Sequence, residues 1–521
     1  MKKKNIILLI IAIVLFVLVG STMAYFGWSS SAEDKDQLVD VTVAGGTGSC
    51  DKLSDNNKLL YPTSTREKGR ILKVTTKQQM ATNAFVTWNL VVNSINETTL
   101  TTSGLKHKSF KYELVNDTTG VSYGTGSFEN VTNGTTITLS TDKETLNYNK
   151  EYTFILYLWI DGTIGNNPLD MTNQPYNFDL NCNITGTDKK VVSELPKNIM
   201  YRIKYLYNMN DKTTVKNNNI EYSLTDSTIG LMNDRLGGTT TSLDGGNIRY
   251  YGADPNNYIY FNCETYPDNN CELWRIIGLF DGKIKIIRNE SIGEFSWDNK
   301  DLTTGAETSL GKNDWTTARL MKLLNPKDYY TTDINDNGLG QSLYYNSGSG
   351  KCFSGQNNAT VDCDFSSTGI KNDTTRNMIS EIIWNLGGWK GTTLYSDQIY
   401  GYERGTLVYT GRETTWKGKI GLMYPSDYGY AADFSKCKQS LYNYDNENCK
   451  NNDWLFNGIG QDFLTTPSSF SERNVSINPK GYVRSNSSYG ISNKYPVLYL
   501  NNKMEIVSGD GSSSDPFRIS V

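Results

Sequence analysis

The chain has 521 residues, eight cysteines, one histidine and a formal net charge of −4. Because neither sign of charge dominates and no basic stripe is present, composition gives no reason to expect a nucleic-acid partner. The lone His107 and the absence of a Cys-x-x-Cys motif exclude a zinc site and a histidine-based catalytic triad.

Residues 1–28 predict export. Three lysines follow Met1, and residues 6–19 form an unbroken apolar run, a pattern typical of a signal peptide or a membrane anchor. Extended to Trp28, the uncharged stretch reaches the ~20 residues that span a bilayer, with Tyr25 and Trp28 as interfacial aromatics. Residues 22–24 also resemble a cleavage site. We therefore expect a single-pass cell-membrane protein with an extracellular body or, alternatively, a secreted protein.

Residues 36–185 are predicted to form an all-β domain. Short runs of β-branched and aromatic residues alternate with Gly, Asn, Thr and Ser. Many short strands at this spacing are typical of a β-sandwich or jelly roll. The runs lie at residues 71–74, 84–92, 110–115, 135–139 and 152–160.

Three motifs extend this prediction: residues 20–26 (GSTMAYF), 157–162 (YLWIDG) and 167–171 (NPLDM). In this order, around a β domain, they resemble the camelysin and biofilm-matrix-fibre proteins of Gram-positive bacteria. The resemblance covers about 150 residues. It implies a surface-displayed jelly roll and carries over no catalytic residue.

Residues 186–228 are predicted to form a connecting helix and a linker. Apolar residues recur at helical spacing after Pro196, which suits the start of a helix. Asn, Thr and Asp then dominate as far as Asp226, as in a linker.

Residues 229–521 are predicted to form a loop-rich α+β domain. Asp281 and Gly282 lie between two apolar runs, which is a strong hairpin signal. Asp373 and Gly387 are the candidate N-cap and C′ residues of a helix over 374–386. A further helix is expected at 314–324, and strands at 258–261, 273–280, 283–287, 419–423 and 496–500.

The eight cysteines of an exported chain predict four disulfides. Three successive pairs lie 8, 11 and 12 residues apart and bracket polar, turn-rich segments. We expect each of these pairs to close its own loop, and Cys50 to join Cys182 in the first domain. The three loop pairs are Cys263 with Cys271, Cys352 with Cys363, and Cys437 with Cys449.

A second resemblance covers residues 229–521. It is carried by residues 257–263 (NYIYFNC), 272–278 (ELWRIIG), 421–430 (GLMYPSDYGY), 496–500 (PVLYL) and 508–512 (SGDGS). This ordered set is similar to a family of exported bacterial domains of unknown function with a C-type-lectin-like fold, distantly related in shape to the formylglycine-generating enzymes. Tyr495 stands where that family usually has an arginine. Those enzymes depend on reactive cysteines, whereas Cys437 and Cys449 are better explained as a disulfide that closes a loop.

Two kinds of candidate site remain. Asp333, Asn335 and Asn337 match ligand positions of a calcium loop, but Tyr344 stands where a bidentate glutamate belongs, so an Asx-rich turn is the alternative.

Aromatic residues in polar, loop-like context could stack on a sugar or hold a protein partner, or could form the core. These are Trp297, Trp315, Trp389, Trp416, Trp454 and Tyr428, in or near the long loops 297–315, 386–404 and 424–456.

Three functions are compatible with these patterns. The preferred hypothesis is a non-catalytic surface binding or adhesion protein that displays a lectin-like head on a β-sandwich stalk and binds a surface glycan or protein. The alternatives are a fibre or matrix subunit that assembles through strand edges, and a carboxylate-based glycan-active enzyme. No cofactor is expected apart from calcium at the loop above.

Overall fold

The computed structural model describes residues 24–32, 35–43, 47–49, 53–56, 62–63, 65–66, 70–78, 83–95, 105–140, 145–146, 151–163, 176–187, 195–235, 246–391, 394–501 and 503–520. The chain divides into two compact units, Met1–Pro196 and Lys197–Val521. Both units, where described, consist mostly of β-sheet with few helices.

The first unit is all β in its described part. Its strands are β1 (Ala24–Ala32), β2 (Lys35–Val43), β3 (Thr47–Ser49), β4 (Leu53–Asn56), β5 (Pro62–Thr63), β6 (Arg70–Gln78), β7 (Asn83–Ile95), β8 (Phe110–Asn116), β9 (Val121–Ser127), β10 (Thr136–Thr138), β11 (Thr145–Leu146), β12 (Glu151–Asp161) and β13 (Tyr176–Thr187). One sheet has the order β2-β1-β6-β12-β8-β9, with β5 on β12. The other has the order β10-β7-β13-β3, with β11 on β7 and β4 on β13.

The two sheets pack face to face through apolar side chains. In β7, Val86, Trp88, Leu90 and Val92 are buried while the residues between them are partly exposed, which is the period of two expected for a strand with one face on the core. The Trp88 ring lies 4.9 Å from that of Phe154 on β12, in the other sheet. The sequence prediction of a β-sandwich is therefore confirmed at this level.

The structure bears on the last residues of the predicted N-terminal segment only, residues 24–28. The structure places Ala24–Ala32 in strand β1, which pairs with β2 and β6. Tyr25 and Trp28 thus belong to a sheet strand and not to an apolar helix that ends at residue 28. Residues 1–23 lie outside the described residues. Within the described part of the chain, every helix is too short or too polar to cross a membrane.

The second unit has six α-helices among its described residues: α1 (Ile199–Met209), α2 (Arg319–Leu324), α3 (Asp373–Met378), α4 (Ser396–Glu403), α5 (Pro425–Ala431) and α6 (Glu447–Lys450). Short 3-10 helices lie at Trp315–Thr317, Lys327–Tyr329, Ile334–Asp336 and Leu441–Asn443. Its strands are β14 (Thr213–Asn217), β15 (Ile220–Leu224), β16 (Leu231–Asn233), β17 (Ile248–Tyr250), β18 (Tyr258–Phe261), β19 (Glu272–Phe280), β20 (Lys283–Arg288), β21 (Glu294–Ser296), β22 (Ser349–Phe353), β23 (Thr360–Asp364), β24 (Ile382–Asn385), β25 (Thr415–Gly418), β26 (Ile420–Gly421), β27 (Gln461–Asp462), β28 (Arg473–Ile477), β29 (Val483–Ser487), β30 (Ile491–Asn493), β31 (Val497–Leu500), β32 (Glu505–Ser508) and β33 (Arg518–Ser520).

A central sheet organises this unit. Its order is β14-β15-β16-β17-β19-β20-β31-β26, with β18 on β19. A second sheet has the order β21-β30-β27-β28-β29, and three two-stranded sheets join β22 to β23, β24 to β25 and β32 to β33. Asp281 and Gly282 both have positive φ, 47° and 72°, at the β19–β20 turn. This turn is the predicted hairpin, since a two-residue turn of this type needs positive φ at both positions.

The predicted linker is wrong in its second half. Helix α1 is present, with Asn198 as the N-cap that accepts hydrogen bonds from two backbone N–H groups. Residues 213–224, however, form the β14–β15 hairpin of the central sheet. Val215, Tyr222 and Leu224 are buried in an apolar cluster of the second unit. Buried residues alternate with exposed ones in these strands. Most residues of the segment are polar, so composition alone indicated a linker.

The predicted helix over 374–386 is also wrong beyond Met378. Helix α3 begins after Asn372, whose side chain accepts the Thr375 N–H. The chain then leaves the helix, because Ser380 N–H donates to the Tyr499 carbonyl and Ile379 bridges to Leu500 on the central sheet. Residues 382–385 continue as strand β24, which suits the two β-branched residues at its start.

Three of the predicted disulfides are confirmed. Cys263 joins Cys271, Cys352 joins Cys363, and Cys437 joins Cys449. Each closes a local loop, as the spacing predicts. Cys182 is also disulfide-bonded, and Cys50, its predicted partner, lies outside the described residues.

Candidate functional site

A pocket of about 310 Å³ opens in the second unit beside the β19–β20 turn. We call it the Arg404 pocket. Four aromatic side chains and four charged ones line it: Phe280, Tyr400, Tyr424 and Tyr499, with Asp281, Lys283, Glu381 and Arg404. Strand β24 supplies one wall. An aromatic lining with a few polar groups is typical of ligand sites, whose volumes are about 300–1,000 Å³.

A buried network of charges lies beneath this pocket. Lys285 on β20 donates to the Asp427 carboxylate, and Arg249 Nη1 donates to Asp427 Oδ1 at 2.9 Å. Arg249 Nε donates to Asp234 Oδ2 at 2.5 Å. All four side chains are at most 1% exposed. Such a network stabilises one arrangement of these side chains, because loss of Asp427 would leave Lys285 buried without a carboxylate.

The sequence around Asp427 explains its position. Pro425 occupies the first turn of α5, and Asp427 at N3 accepts the Tyr424 N–H at 2.9 Å, as in a capping box. Burial opposes ionisation of this carboxyl, but Lys285 and Arg249 together lower its pKa. Burial lowers the pKa of Lys285 to about 8, and Asp427 partly offsets that effect. The pair therefore remains ionised at neutral pH.

Arg404, like Lys283, is a partly exposed cation in the pocket lining. Its side chain is 27% exposed. The guanidinium carbon lies 3.4 Å from the centroid of the Tyr400 ring. Its hydrogen bonds to described residues come from Nη1, which donates to Glu403 Oε2 at 3.2 Å and to the Tyr400 carbonyl at 3.5 Å. Nε and Nη2 have no acceptor among the described residues, and together they form the planar fork that binds a carboxylate through two hydrogen bonds.

Glu403 supports Arg404 from inside the fold. It is fully buried, and its carboxyl oxygens accept from Ser426 N–H at 2.8 Å and from Ser426 Oγ at 2.6 Å. Burial raises the pKa of Glu403 to about 7, against the opposing effects of Arg404 and Ser426. Its occupied oxygens and its lack of exposure indicate a positioning role.

Strand β24 presents an open backbone edge to the pocket. Leu386 N–H donates to the Thr414 carbonyl, on the side of β25. Asn385 bonds on the opposite side, where Tyr424 Oη accepts its N–H at 2.9 Å and donates to its carbonyl at 3.0 Å. Because bonding sides alternate along an antiparallel strand, the N–H and C=O of Ile383 also face away from β25. No described backbone group bonds to them on that side.

The aromatic residues predicted to contact ligand are instead part of the core. Trp315 is 2% exposed, Tyr428 is 0% exposed, and Trp389, Trp416 and Trp454 are 7–8% exposed; Trp297 is also buried. Trp297, Trp315 and Trp416 pack in series, with ring centroids 5.2 and 6.1 Å apart. Trp454 Nε1 donates to the Tyr250 carbonyl at 3.0 Å, and Tyr428 Oη donates to the Gly481 carbonyl at 2.8 Å. Short strands leave a large interior here, and these rings fill it, so no ring face is open to a sugar.

Two lysine side chains of the protein lie close to Asp333 in the candidate calcium loop. The Asp333 side chain accepts the Asn335 N–H at 2.9 Å, which makes an Asx turn, and Asn337 adopts a left-handed conformation. Lys322 Nζ lies 3.7 Å and Lys300 Nζ 3.8 Å from Asp333 Oδ2. These ammonium groups occupy the surroundings that a calcium ion would need. Among the described residues, no cluster of three His, Cys, Asp or Glu could hold a metal.

Tyr495, at the position where the resemblance implies an arginine, makes a neutral contact. It is 8% exposed, and its hydroxyl accepts from Asn457 Nδ2 at 3.0 Å. The buried charge that an arginine would bring is therefore absent at this position.

No sequence pattern indicated a site at Arg404, Glu403, Lys285 or Ile383. A signal was present for Asp427, since an acidic residue follows Pro425 inside an otherwise aromatic run. No comparable signal marks Arg404 among the other arginines. Its role depends on which strands meet beside α4, and that is a property of the fold.

A second pocket, of about 370 Å³, lies beside the Cys263–Cys271 loop. Its lining includes a single charged side chain, Glu264, and no cation. The Arg404 pocket combines a cation, rings and an open strand edge, and it is the stronger candidate.

Comparison with known proteins adds little. No family model matches the chain, and no curated protein matches it. Among solved structures, the binding domain of botulinum neurotoxin serotype D is similar to 52% of this chain and 87% of that chain, at 13% identity and a TM-score of 0.14. A likeness at that TM-score carries no argument about fold or function.

Proposed function

We propose that this chain is a non-catalytic extracellular recognition protein, whose second unit binds a carboxylate-bearing ligand in the Arg404 pocket. The observation that carries the proposal is the fork of Arg404. Nε and Nη2 are free of described acceptors, and the buried Glu403 and the Tyr400 ring hold the guanidinium in place. A fixed guanidinium in an aromatic pocket binds a carboxylate with little loss of side-chain entropy.

The remaining parts of the proposal concern location and architecture. The basic and apolar residues 1–19 favour export, with the N-terminal segment as membrane anchor or cleaved signal. In this proposal the first unit is a jelly-roll stalk, and the second is a C-type-lectin-like head. Local disulfides support an oxidising, extracellular setting.

The hydrogen bonds and ion pairs of the carboxyl groups around the pocket support binding without catalysis. Asp427 and Glu403, the carboxyl groups beneath the pocket, are fully buried and hydrogen-bonded to fixed partners. Glu381, at the rim, is paired with Lys417 Nζ at 2.6 Å and with Tyr329 Oη at 2.7 Å. A general acid or base needs a proton-accepting atom within reach of the substrate. These three carboxylates are engaged elsewhere, and Asp281, at the β19–β20 turn, is an exposed carboxylate of the lining.

The test is a binding screen of the labelled full chain on arrays of peptides and glycans. Wild type, Arg404→Ala and Arg518→Ala should be compared. Arg518 is a matched control, since it is 25% exposed, ion-paired and 5.4 Å from a tyrosine ring. We expect carboxylate-bearing probes to be lost with Arg404→Ala and retained with Arg518→Ala. Equal loss or equal retention in the two variants would contradict the proposal, and so would turnover of any probe.

A further inference from the structure

Ile383, on the open edge of β24, and Arg404 line the same pocket. Strand β24 has one partner strand, β25. The Ile383 N–H and C=O face away from that partner, and both Ile383 and Arg404 line the pocket. One wall therefore offers a backbone donor and acceptor, and another offers a bidentate cation.

We propose that the ligand of the Arg404 pocket is an extended peptide segment that adds to β24 at Ile383 and places a carboxylate on Arg404. This inference rests on the proposed function and deepens it by naming the ligand class. The carboxylate comes from the C-terminus of the peptide or from an acidic side chain, two sources with the same chemistry. Strand addition with carboxylate capture combines two known modes of peptide recognition.

The backbone geometry favours a peptide over an acidic sugar. A β-strand presents an N–H and a C=O from the same residue on one side, and the backbone of another extended chain matches that pair in direction and spacing. Tyr424 Oη makes the same pair of contacts with Asn385, one strand repeat further along. The Tyr424 side chain thus covers the strand edge at Asn385, while the edge at Ile383 stays open. An added strand can therefore pair with β24 at Ile383, inside the pocket, and not at Asn385.

The apolar surface beside this edge fits the same ligand. The Ile383 side chain is 66% exposed, one of the most exposed large apolar side chains among the described residues. Side chains of an added strand lie about 4.5–5.5 Å from those directly opposite. A peptide with an apolar residue opposite Ile383 would cover it.

The first experiment is affinity selection on the immobilised full chain with three random pentapeptide pools. One pool has a free C-terminus, one is amidated and contains a fixed aspartate, and one is amidated and free of acidic residues. We expect retention of the first or second pool, which identifies the source of the carboxylate, and no retention of the third. Arg404→Lys should weaken retention at least about tenfold, since a charge-assisted bidentate pair is lost, whereas Arg518→Lys should have no effect.

A second pair of variants tests the strand edge. Ile383→Pro removes the N–H that faces the pocket and leaves the bonds to β25 intact. Thr415→Pro is the matched control, because Thr415 is the register partner of Asn385 and its N–H faces away from β24. We expect Ile383→Pro to abolish retention of the acidic pool and Thr415→Pro to preserve it. Hydrogen exchange should also slow at residues 381–384 of wild type when the retained peptides are added.

Several results would overturn the peptide proposal. They are equal retention of all three pools, retention of none, and unchanged binding by Ile383→Pro. Glucuronate serves as the acidic-sugar probe. If glucuronate protects the pocket in an Arg404-dependent way and no peptide does, the peptide class is wrong while the proposed function stands. If neither probe binds and the arrays also show no Arg404-dependent binding, both proposals fail.

Discussion

Asp427 is the residue on which the buried charges beneath the Arg404 pocket converge. Its two oxygens accept from Lys285, Arg249 and the Tyr424 N–H. Removing it would leave Lys285 buried without its carboxylate, and Arg249 with Asp234 alone. We expect Asp427→Ala to lower the free energy of unfolding by about 3–5 kcal/mol in urea titrations.

The control for this variant is an exposed ion pair. Lys351 Nζ lies 2.7 Å from Asp362 Oδ1, with both side chains at least half exposed. Lys351→Ala should cost less than about 1 kcal/mol, because solvent screens such pairs. Equal losses in Asp427→Ala and Lys351→Ala would show that the network beneath the pocket is not a structural unit.

Glu403 gives the stability of the second unit a specific pH dependence. Its pKa is raised from 4.5 to about 7, mainly by burial, so the folded state holds this proton more tightly than the unfolded chain. The stability that this provides is complete below about pH 4.5 and is lost as the pH rises through 7. Between these values, wild type should lose stability relative to Glu403→Gln. Urea titrations across this range check it, and a constant difference would contradict the assignment.

Strand β25 shows how a glycine permits aromatic packing at the element scale. A Cβ on Gly418 would lie 1.9 Å from the Trp416 ring, so the ring occupies the space above this residue. Gly418→Ala should destabilise the protein by about 1–3 kcal/mol through overpacking. A Cβ added to Gly401, within α4, would have nothing within 4 Å, and Gly401→Ala should stabilise by up to about 1 kcal/mol. Thermal unfolding of both variants tests this contrast, and the same sign for both would contradict it.

The sequence predicted a helix, hairpin or loop correctly where a single turn motif, hydrophobic period or cysteine spacing marks that segment. The Asp281–Gly282 hairpin, helix α1 and the three disulfide loops all have such signals. Strand β24 was predicted as helix, because three consecutive apolar residues fit either period and the bridge from Ile379 to Leu500 decides between them. The tryptophans were assigned to exposed loops because their neighbours in sequence are polar, although their own rings are buried. The Arg404 pocket was missed because β20 and β31, which also line it, are distant in sequence from β24 and α4.

At the scale of the whole molecule, cross-links are local within the described residues. Three disulfides close loops of the second unit, and Cys182 is bonded in the first. Non-reducing peptide mapping should join Cys50 to Cys182 and show no bridge between the units. A Cys50 bridge to any cysteine beyond residue 196 would contradict the assignment of one self-contained unit to each half of the chain.

Binding of a carboxylate by Arg404 is best tested with crystals of the full chain soaked with small carboxylic acids and with their amides. We expect density for the acid, with its oxygens about 2.7–2.9 Å from Arg404 Nε and Nη2, and no density for the amide. Arg404 turned away to bond with protein carbonyls, or acids bound elsewhere with this pocket empty, would contradict it.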